Sequence, residues 1–445
     1  MSYLGQPRSL IRISCSLCRQ NVHIAKHKKS IHYNKLSRFC TNKPALTTTT
    51  KGRSMLVRMS KEHVLSGFQK AAGIIPMKTG AAFLRTIWLE AKENQLTVMS
   101  TDSKLEFSGS YPAQVETPGL IGVPGKKFYD LFRKLPPGEI TLNCQDQEDH
   151  VLLEQGRRKY KLPTNDASWF QPFSTFPEDE AVLWSGDFLK EIINRIAYCV
   201  SDDESMNAMN CLKITPWPNS EAVEACGLNG HQFALMRFLN PDIHAILPQD
   251  PEGEDSGILI AKHYLLELKK WLSSEEINFT IGQKRLFFTN GKQNEIFSLP
   301  LNTHKFPKYE TFLTNFQNET SKLRVGRDEM LEALERVALF NTENQRCSYL
   351  VFDSQEMIVY SQGQETGEAT ESLTVEFSGE LQKIAFPTSI LIEVLSHFQS
   401  EMLTFEFTGP EGPCKITGKE DSGYLVVVMP MHVAEETYYS EEENG

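Results

Sequence analysis

No run among the 445 residues approaches the roughly 18 consecutive apolar positions a helical membrane span needs, so an integral membrane protein of that kind is excluded. Cysteine is sparse: nine residues, odd in number and irregularly spaced, cannot form a disulfide framework and point to a reducing interior. With 27 glycines and 22 prolines the chain is too poor in both to be collagenous or of low complexity. Signatures of chemistry are missing as well. There is no GxxxxGK[ST] phosphate loop, no GxGxxG, no HExxH and no paired CxxC after residue 54. His231 stands alone beside a Gly turn, as packing or surface histidines do. The acidic runs Glu178-Asp179-Glu180 and Asp202-Asp203-Glu204 lack the interleaved glycine and terminal glutamate of a calcium loop and read as solvated loops. No metal, cofactor or catalytic residue is expected.

One further absence is local. Residues 1–54 contain no Asp or Glu but eleven Lys and Arg, and the remainder therefore carries 35 basic against 57 acidic groups, a net of −22. A basic, Ser/Thr-rich leader suits a targeting segment or a nucleic-acid arm. Alternatively the start lies downstream, since Met55 and Met59 stand just before the first good helical pattern. Cys15 and Cys18 form a CxxC pair with His23, His27 and Cys40 nearby, but the loose spacing and the lack of a flanking strand pattern argue against zinc. The leader is set aside from the fold.

What the rest contains is a repeat. Three helical patterns open after small or polar residues: SKEHVLSGFQKAA from Ser60, SGDFLKEIINRIA from Ser185 and GRDEMLEALERVA from Gly326. Their apolar faces are Val64/Gly67/Phe68/Ala71, Leu189/Ile192/Ile193/Ile196 and Met330/Ala333/Leu334/Val337. Second helices follow at GKKFYDLFRKL, AKHYLLELKKWL and PTSILIEVLSHF, with short alternating runs between them that read as antiparallel strands. Each unit closes on an apolar residue and proline, at Leu162-Pro163, Leu299-Pro300 and Met429-Pro430, spaced 137 and 130 residues apart. The expected division is a basic extension over 1–54, read as disordered from its composition, then units over 55–179, 180–318 and 319–434, and an acidic tail over 435–445.

Each helix has one apolar stripe, so helices should lie on one face of a sheet. Three units with pairable edge strands can make a long curved sheet, and a two-fold dimer joining end to end would close the arc into a helix-lined ring.

Four segments carry a resemblance to a known family. Val123-Pro124-Gly125-Lys126-Lys127-Phe128, Leu228-Asn229-Gly230-His231-Gln232-Phe233-Ala234, His304-Lys305-Phe306-Pro307-Lys308-Tyr309 and Tyr424–Val433 with its Met429-Pro430-Met431 resemble, in order, motifs of the bacterial DNA sliding clamps, the β subunit of the replicative polymerase. The match runs from Met55 to Val433. It implies an α+β fold of three repeated clamp domains, each an antiparallel sheet plus two helices, in a head-to-tail homodimeric ring. It also implies a non-catalytic processivity role in the bacterial cytoplasm, with double-stranded DNA, the replicative polymerase, a clamp loader and other clamp-binding-motif proteins as partners. The alternative is a scaffold of the same fold that binds peptides without encircling DNA.

The resemblance implies residues too. A groove for client peptides between the second and third units would be walled by Met209, Leu228, Gly230, His231, Gln232, Phe233, Pro307, Thr311, Phe312, Val427, Met429, Pro430 and Met431; methionine's flexible thioether suits varied partners. Gln232 and Thr311 stand where the family usually has Arg, and His432 replaces another, so this groove is less basic. Phe312 and Val427 read equally well as core. DNA contacts would come from Lys78, Arg85, Lys190 and Arg195, by charge rather than base reading. Asn207 and Ala208 replace a Tyr pair in a DNA-contacting loop. At the dimer seam Tyr160 and Leu162 would meet Leu339 and Phe340, with Arg157 and Lys159 facing Glu365, Glu368 and Glu371.

Overall fold

The computed structural model describes residues 54–76, 81–145, 148–177, 181–250, 256–317, 320–342, 346–363 and 366–431. The leader with its cysteine pair, Lys78, the 178–180 acidic run, Glu365, His432 and the tail lie outside them. No helix among the described residues is long and apolar enough to cross a membrane.

Element order repeats three times. The first unit runs β1 (Met55–Ser60), α1 (Lys61–Ile74), β2 (Thr86–Lys92), β3 (Gln95–Thr101), β4 (Glu106–Pro112), β5 (Gln114–Thr117), β6 (Gly119–Pro124), α2 (Gly125–Lys134), β7 (Glu139–Cys144), β8 (His150–Gln155) and β9 (Arg158–Pro163). The second runs β10 (Val182–Ser185), α3 (Gly186–Ile196), β11 (Cys211–Pro216), β12 (Ala222–Leu228), β13 (Gln232–Leu239), a short α4 (Pro241–Ile246), β14 (Ile258–Ala261), α5 (Lys262–Trp271), β15 (Glu276–Ile281), β16 (Arg285–Asn290) and β17 (Glu295–Pro300). After a connecting α6 (Glu310–Leu313), the third runs β18 (Ser321–Gly326), α7 (Arg327–Ala338), β19 (Cys347–Phe352), β20 (Glu356–Gly363), β21 (Gly367–Thr374), β22 (Glu376–Ser378), β23 (Lys383–Pro387), α8 (Thr388–Ser396), β24 (Met402–Phe407), β25 (Cys414–Gly418) and β26 (Tyr424–Val428).

Local chemistry explains the pattern. In β1, Met55, Val57 and Met59 point into the core, while Arg58 on the other face pairs with Glu116 at 2.9 Å. The strand feeds α1 directly, and α1 buries Val64, Phe68 and Ala71. Phe68 meets Phe128 and Phe132 of α2 at ring-centroid distances of 5.0 and 4.7 Å. Burial of each such ring contributes about 1.5–3 kcal/mol, enough to hold two short helices that would not persist alone. In the second unit Ser185 caps α3 by accepting from the Phe188 N–H at 3.3 Å.

Every ladder is antiparallel, yet the strands do not form one long sheet. Each unit splits into two half-sheets, and these join across unit boundaries. β10-β15-β16-β17 of the second unit continues into β4-β3-β2-β6 of the first, and β14-β11-β12-β13 of the second continues into β26-β25-β24-β18-β22 of the third. Two half-sheets remain, β5-β1-β7-β8-β9 and β21-β20-β19-β23. The periodicity that locates strands carries no information about which sheet each joins, so this division was out of reach of the pattern.

A buried polar clasp crosses each joined boundary. Between the first two units Glu295 accepts from Lys70 Nζ at 2.5 Å, Tyr111 OH at 2.8 Å and Trp271 Nε1 at 3.1 Å. Between the last two, Asp421 accepts from Arg195 Nη1 at 2.7 Å and Ser400 Oγ at 2.6 Å, and Tyr424 donates to the Arg195 carbonyl at 2.9 Å. Removing one member of such a buried set strands its partners without hydrogen bonds. Glu295→Ala should therefore cost about 3 kcal/mol, at the lower end for a broken buried pair because Lys70 keeps some contact with water. Urea unfolding reads this out, and a loss below about 1 kcal/mol would show that the clasp is not a stabilising element.

Candidate peptide-binding surface and nucleic-acid interface

The surface at the second boundary is built by a ladder and a turn. Phe233 of β13 lies opposite Val427 of β26 and Gln232 opposite Val428; beyond the ladder the Met429 N–H donates to the His231 carbonyl at 2.9 Å. Asn229 Oδ1 accepts from the N–H groups of His231 and Gln232 at 3.0 and 2.9 Å, and Gly230 turns the chain at φ +91°. A Cβ on Gly230 would meet Met209 Cε at 3.7 Å, which places that thioether against the turn. The Met431 N–H then donates to the Ala385 carbonyl at 2.8 Å, fixing the end of the strand on β23. Met429 and Met431 are each 39% exposed.

The second wall is held from below. Glu224 of β12 is fully buried; Arg237 donates to it at 2.6 Å and lies 3.5 Å over the Trp217 ring, and Tyr309 OH also donates to it. Burial, then the neighbouring Cys226 and Glu224, pushes the Tyr309 phenol far above its ordinary range, so it remains a donor. Anchored there, Tyr309 stacks on Phe233 at 5.1 Å, and Phe312 packs edge-on against the same ring at 5.1 Å.

These contacts bring Met209, Leu228, Gly230, His231, Phe312 and Met429 together around Phe233. They also revise the expected wall. Gln232, Phe233 and Val427 are buried and form its floor; Gln232 spends its side-chain oxygen on Asn229 Nδ2 at 3.2 Å. Phe233 and Val427 share one face of the ladder while Gln232 lies on the other, and both faces are covered here, which sequence spacing alone cannot say. Pro307 and Thr311 are exposed on the adjoining segment, Pro430 is half-buried and Met431 caps the end. One residue was not anticipated: Tyr309, whose position depends on the distant Glu224.

The expected DNA contacts divide. Arg85 is exposed at the end of a short 3-10 turn, and Lys190 on α3 sits 3.8 Å from Asp187. Arg195 is not a surface cation: it is 7% exposed, paired with Asp421 and Glu191 and stacked 5.0 Å over Tyr424. It clasps the boundary instead. Asn207 adopts a left-handed φ of 50° and is exposed, whereas Ala208 is buried. Exposed cations on the second helices were missed: Lys126, Lys127, Arg133 and Lys134 on α2, Lys269 and Lys270 on α5. They stand opposite the apolar stripes already used to find those helices. At the seam Leu339 is 77% exposed and Tyr160 and Phe340 are half-buried, but Leu162 is 3% exposed inside its own unit, because it faces Val151 and the core. Lys159 pairs with Glu154 at 2.7 Å.

Repeated units, each of antiparallel strands and two main helices, joined by shared sheets, have the fold of the sliding clamps. The profile of the DNA polymerase III beta subunit N-terminal domain matches residues 55–173 and that of its C-terminal domain residues 316–432, together more than half of the chain. The chain belongs to the DNA polymerase III beta subunit family. Its relatives include the beta sliding clamps of Caulobacter vibrioides, 22% identical over 384 residues that cover 85% of this chain and 100% of the relative, and of Pseudomonas aeruginosa, 24% identical over 379 residues with 84% and 99% covered. Among solved structures, the C. crescentus beta sliding clamp with PEG bound superposes with a TM-score of 0.78 at 22% identity, covering 85% of this chain and 100% of that one. The P. aeruginosa sliding clamp bound to griselimycin gives 0.74 at 23%, with the same coverage.

The boundary under this surface carries two titratable groups. His397 stacks on Tyr198 at 4.1 Å, and burial, then Arg195 and Lys269, hold its imidazole below the ordinary range. Burial works against the charge on Asp421, but hydrogen bonds from Ser400, Gln399 and Arg195 outweigh it and hold the carboxyl below its ordinary range. In both cases the folded chain binds fewer protons than the unfolded one, so stability is full above the ordinary value and falls as pH drops below it. His397 acts first, below about pH 6.5, and Asp421 below about pH 3.9. Between pH 7.5 and 5.5 the wild type should lose more stability than His397→Phe, which keeps the stack but cannot titrate. Parallel urea-midpoint curves for the two proteins would refute the assignment.

Proposed function

We propose that two copies of the chain close head to tail into a ring around duplex DNA and tether the replicative polymerase to it. Clients dock on the Met429-Pro430-Met431 surface, and a clamp loader opens the ring. The observation that carries this reading is the pairing of edges. Both internal boundaries are continuous β-ladders, while β9 and β21, at the equivalent repeat positions, pair on that side with no strand among the described residues. The only copy of β9 that can meet β21 in the same head-to-tail sense belongs to a second chain. Leu339 and Phe340 then cover Tyr160 across the seam, with Leu162 supporting from inside, and Arg157 and Lys159 face the acidic β21.

DNA is held by charge. Arg85, Lys190 and the exposed cations of α2 and α5 lie on helices that line the ring's bore, and contacts to phosphate carry no sequence information. The acidic balance of the body favours sliding, because outer-surface acid discourages adhesion to neighbouring DNA. At the client surface exposed methionines adapt to several peptides.

Two measurements test the reading. Protein loaded on nicked circular DNA should stay bound and be released when the circle is cut, because only topological linkage is lost through an end. Peptide binding without such retention would leave a scaffold that does not encircle DNA. Changing both Met429 and Met431 to Ala should weaken client peptides about seventyfold, the equivalent of about 100 Å² of lost apolar burial. Unchanged affinity in folded protein would remove the site from that surface.

A further inference from the structure

The repeat holds enough internal geometry to specify the third boundary residue by residue. In the closing half-sheets, the residue three before the strand–helix junction leads by ladder steps Val182–Phe279–Phe288–Phe297 in the second unit and Leu323–Phe405–Ile416–Val426 in the third. The same steps in the first unit run Val57–Leu142–Leu153–Tyr160. Two residues earlier on each final strand stand Glu295, Tyr424 and Arg158, which are therefore equivalent. In the opening half-sheets, steps from Leu89, Ile214 and Leu350 through Val98, Ala225 and Val359 end on Gly109, Met236 and Glu371. At the two joined boundaries Glu295 lies opposite Gly109, and Tyr424 opposite Met236.

Resting on the ring reading above, we infer that β9 pairs with the partner's β21 in the one register those two boundaries share: Arg158 opposite Glu371, Tyr160 opposite Ala369 and Leu162 opposite Gly367. In that register Glu371 is held jointly by Arg336 of its own chain and Arg158 of the other.

The first helices supply the second, independent line. Lys70, Arg195 and Arg336 each precede the last apolar residue of the helical stripe, Ala71, Ile196 and Val337. At both joined boundaries this cation reaches the equivalent residue of the incoming strand: Lys70 pairs with Glu295, and Arg195 lies 5.0 Å over the Tyr424 ring. At the third boundary the same arrangement sets Arg336 against Arg158, two like charges. Glu371 removes the conflict. It occupies the position held by Gly109 and Met236, and it already accepts from Arg336 Nε and Nη2 at 2.8 and 3.1 Å. That contact holds its carboxyl below the ordinary range, so the bridging charge persists at neutral pH. Arg158 is exposed and has no ion pair among the described residues, leaving its guanidinium available to the shared acid. The neighbouring pair fits as well, Lys161 standing opposite Glu368, and Ala369 leaves room for Tyr160. The acid has moved from the incoming strand at the first boundary to the receiving strand at the seam.

Charge exchange between two variants tests the register. Arg158→Glu sets two acids opposite each other at both seams of its ring, and Glu371→Arg gathers three guanidinium groups at both. Each alone should weaken self-association about 100-fold in sedimentation while circular dichroism stays that of the wild type. Mixed in equal amounts they should form dimers of near wild-type affinity, since one seam of the heterodimer is wild type and the other has both charges exchanged. Independently, Lys159→Cys with Thr370→Cys in one chain should give covalent dimers on mild oxidation, and Lys161→Cys with Thr370→Cys should not. Dimeric wild type with no rescue on mixing, or cross-linking by the second pair instead of the first, overturns the register alone. Wild type that is monomeric throughout the micromolar range overturns the ring reading and the register with it.

Discussion

The backbone groups at the edge of a sheet must be paired, and most of this molecule follows from that. Each unit has two half-sheets and hence two edges that face along the chain. The second unit satisfies both of its edges, β17 with β4 and β13 with β26, by joining its neighbours. A boundary made of main-chain ladder is stiff and fixes the angle between neighbours, which packing of side chains alone would leave adjustable. The two edges left over, β9 and β21, occupy the repeat positions that are joined at the other boundaries, and a closed ring is the arrangement that would pair them.

The ladders set direction, and the buried clasps prevent slippage. A ladder can slide by two residues and keep its faces, but Glu295 can reach Lys70, Tyr111 and Trp271 together only in one register. Asp421 performs the same task with Arg195, Ser400 and the backbone of Gln399. An ion pair buried in this way adds little net stability over an apolar substitute, yet a shifted register would leave its charges unpaired inside the protein. Specificity of alignment is the better explanation for the presence of charge in the core.

Much of the fold was legible in the sequence, because apolar spacing along a helix and the closing apolar-proline pairs are local signals. Val64, Phe68 and Ala71 announce α1 whatever surrounds them. The division into half-sheets was not legible, since β4 and β9 read alike as alternating strands although one is joined within the chain and the other ends a sheet. The same limit governs the site. Met429, Met431, Gly230 and His231 were readable from a family motif, but the burial of Gln232 and Val427 depends on a sheet whose two faces are both covered, which only the assembled fold shows. Arg195 was misread for a related reason: a cation late in an amphipathic helix looks solvated until its partner, 226 residues away, is placed against it.

The contrast between the boundaries bears on how such a ring can open. The two internal clasps are buried, so salt screens them poorly. At the proposed seam the charges of Arg336, Arg158 and Lys161 are exposed in the single chain, and the acid would lie on the receiving strand between two cations rather than in the core. An exposed pair contributes modestly, is screened by salt and can be broken without stranding a charge in an apolar interior. Apolar contact at the proposed seam would rest mainly on Leu339, Phe340 and Tyr160. A proposed ring built of six similar boundaries therefore has four permanent ones and two that can part, and the repeat differs at the position where reversibility is needed.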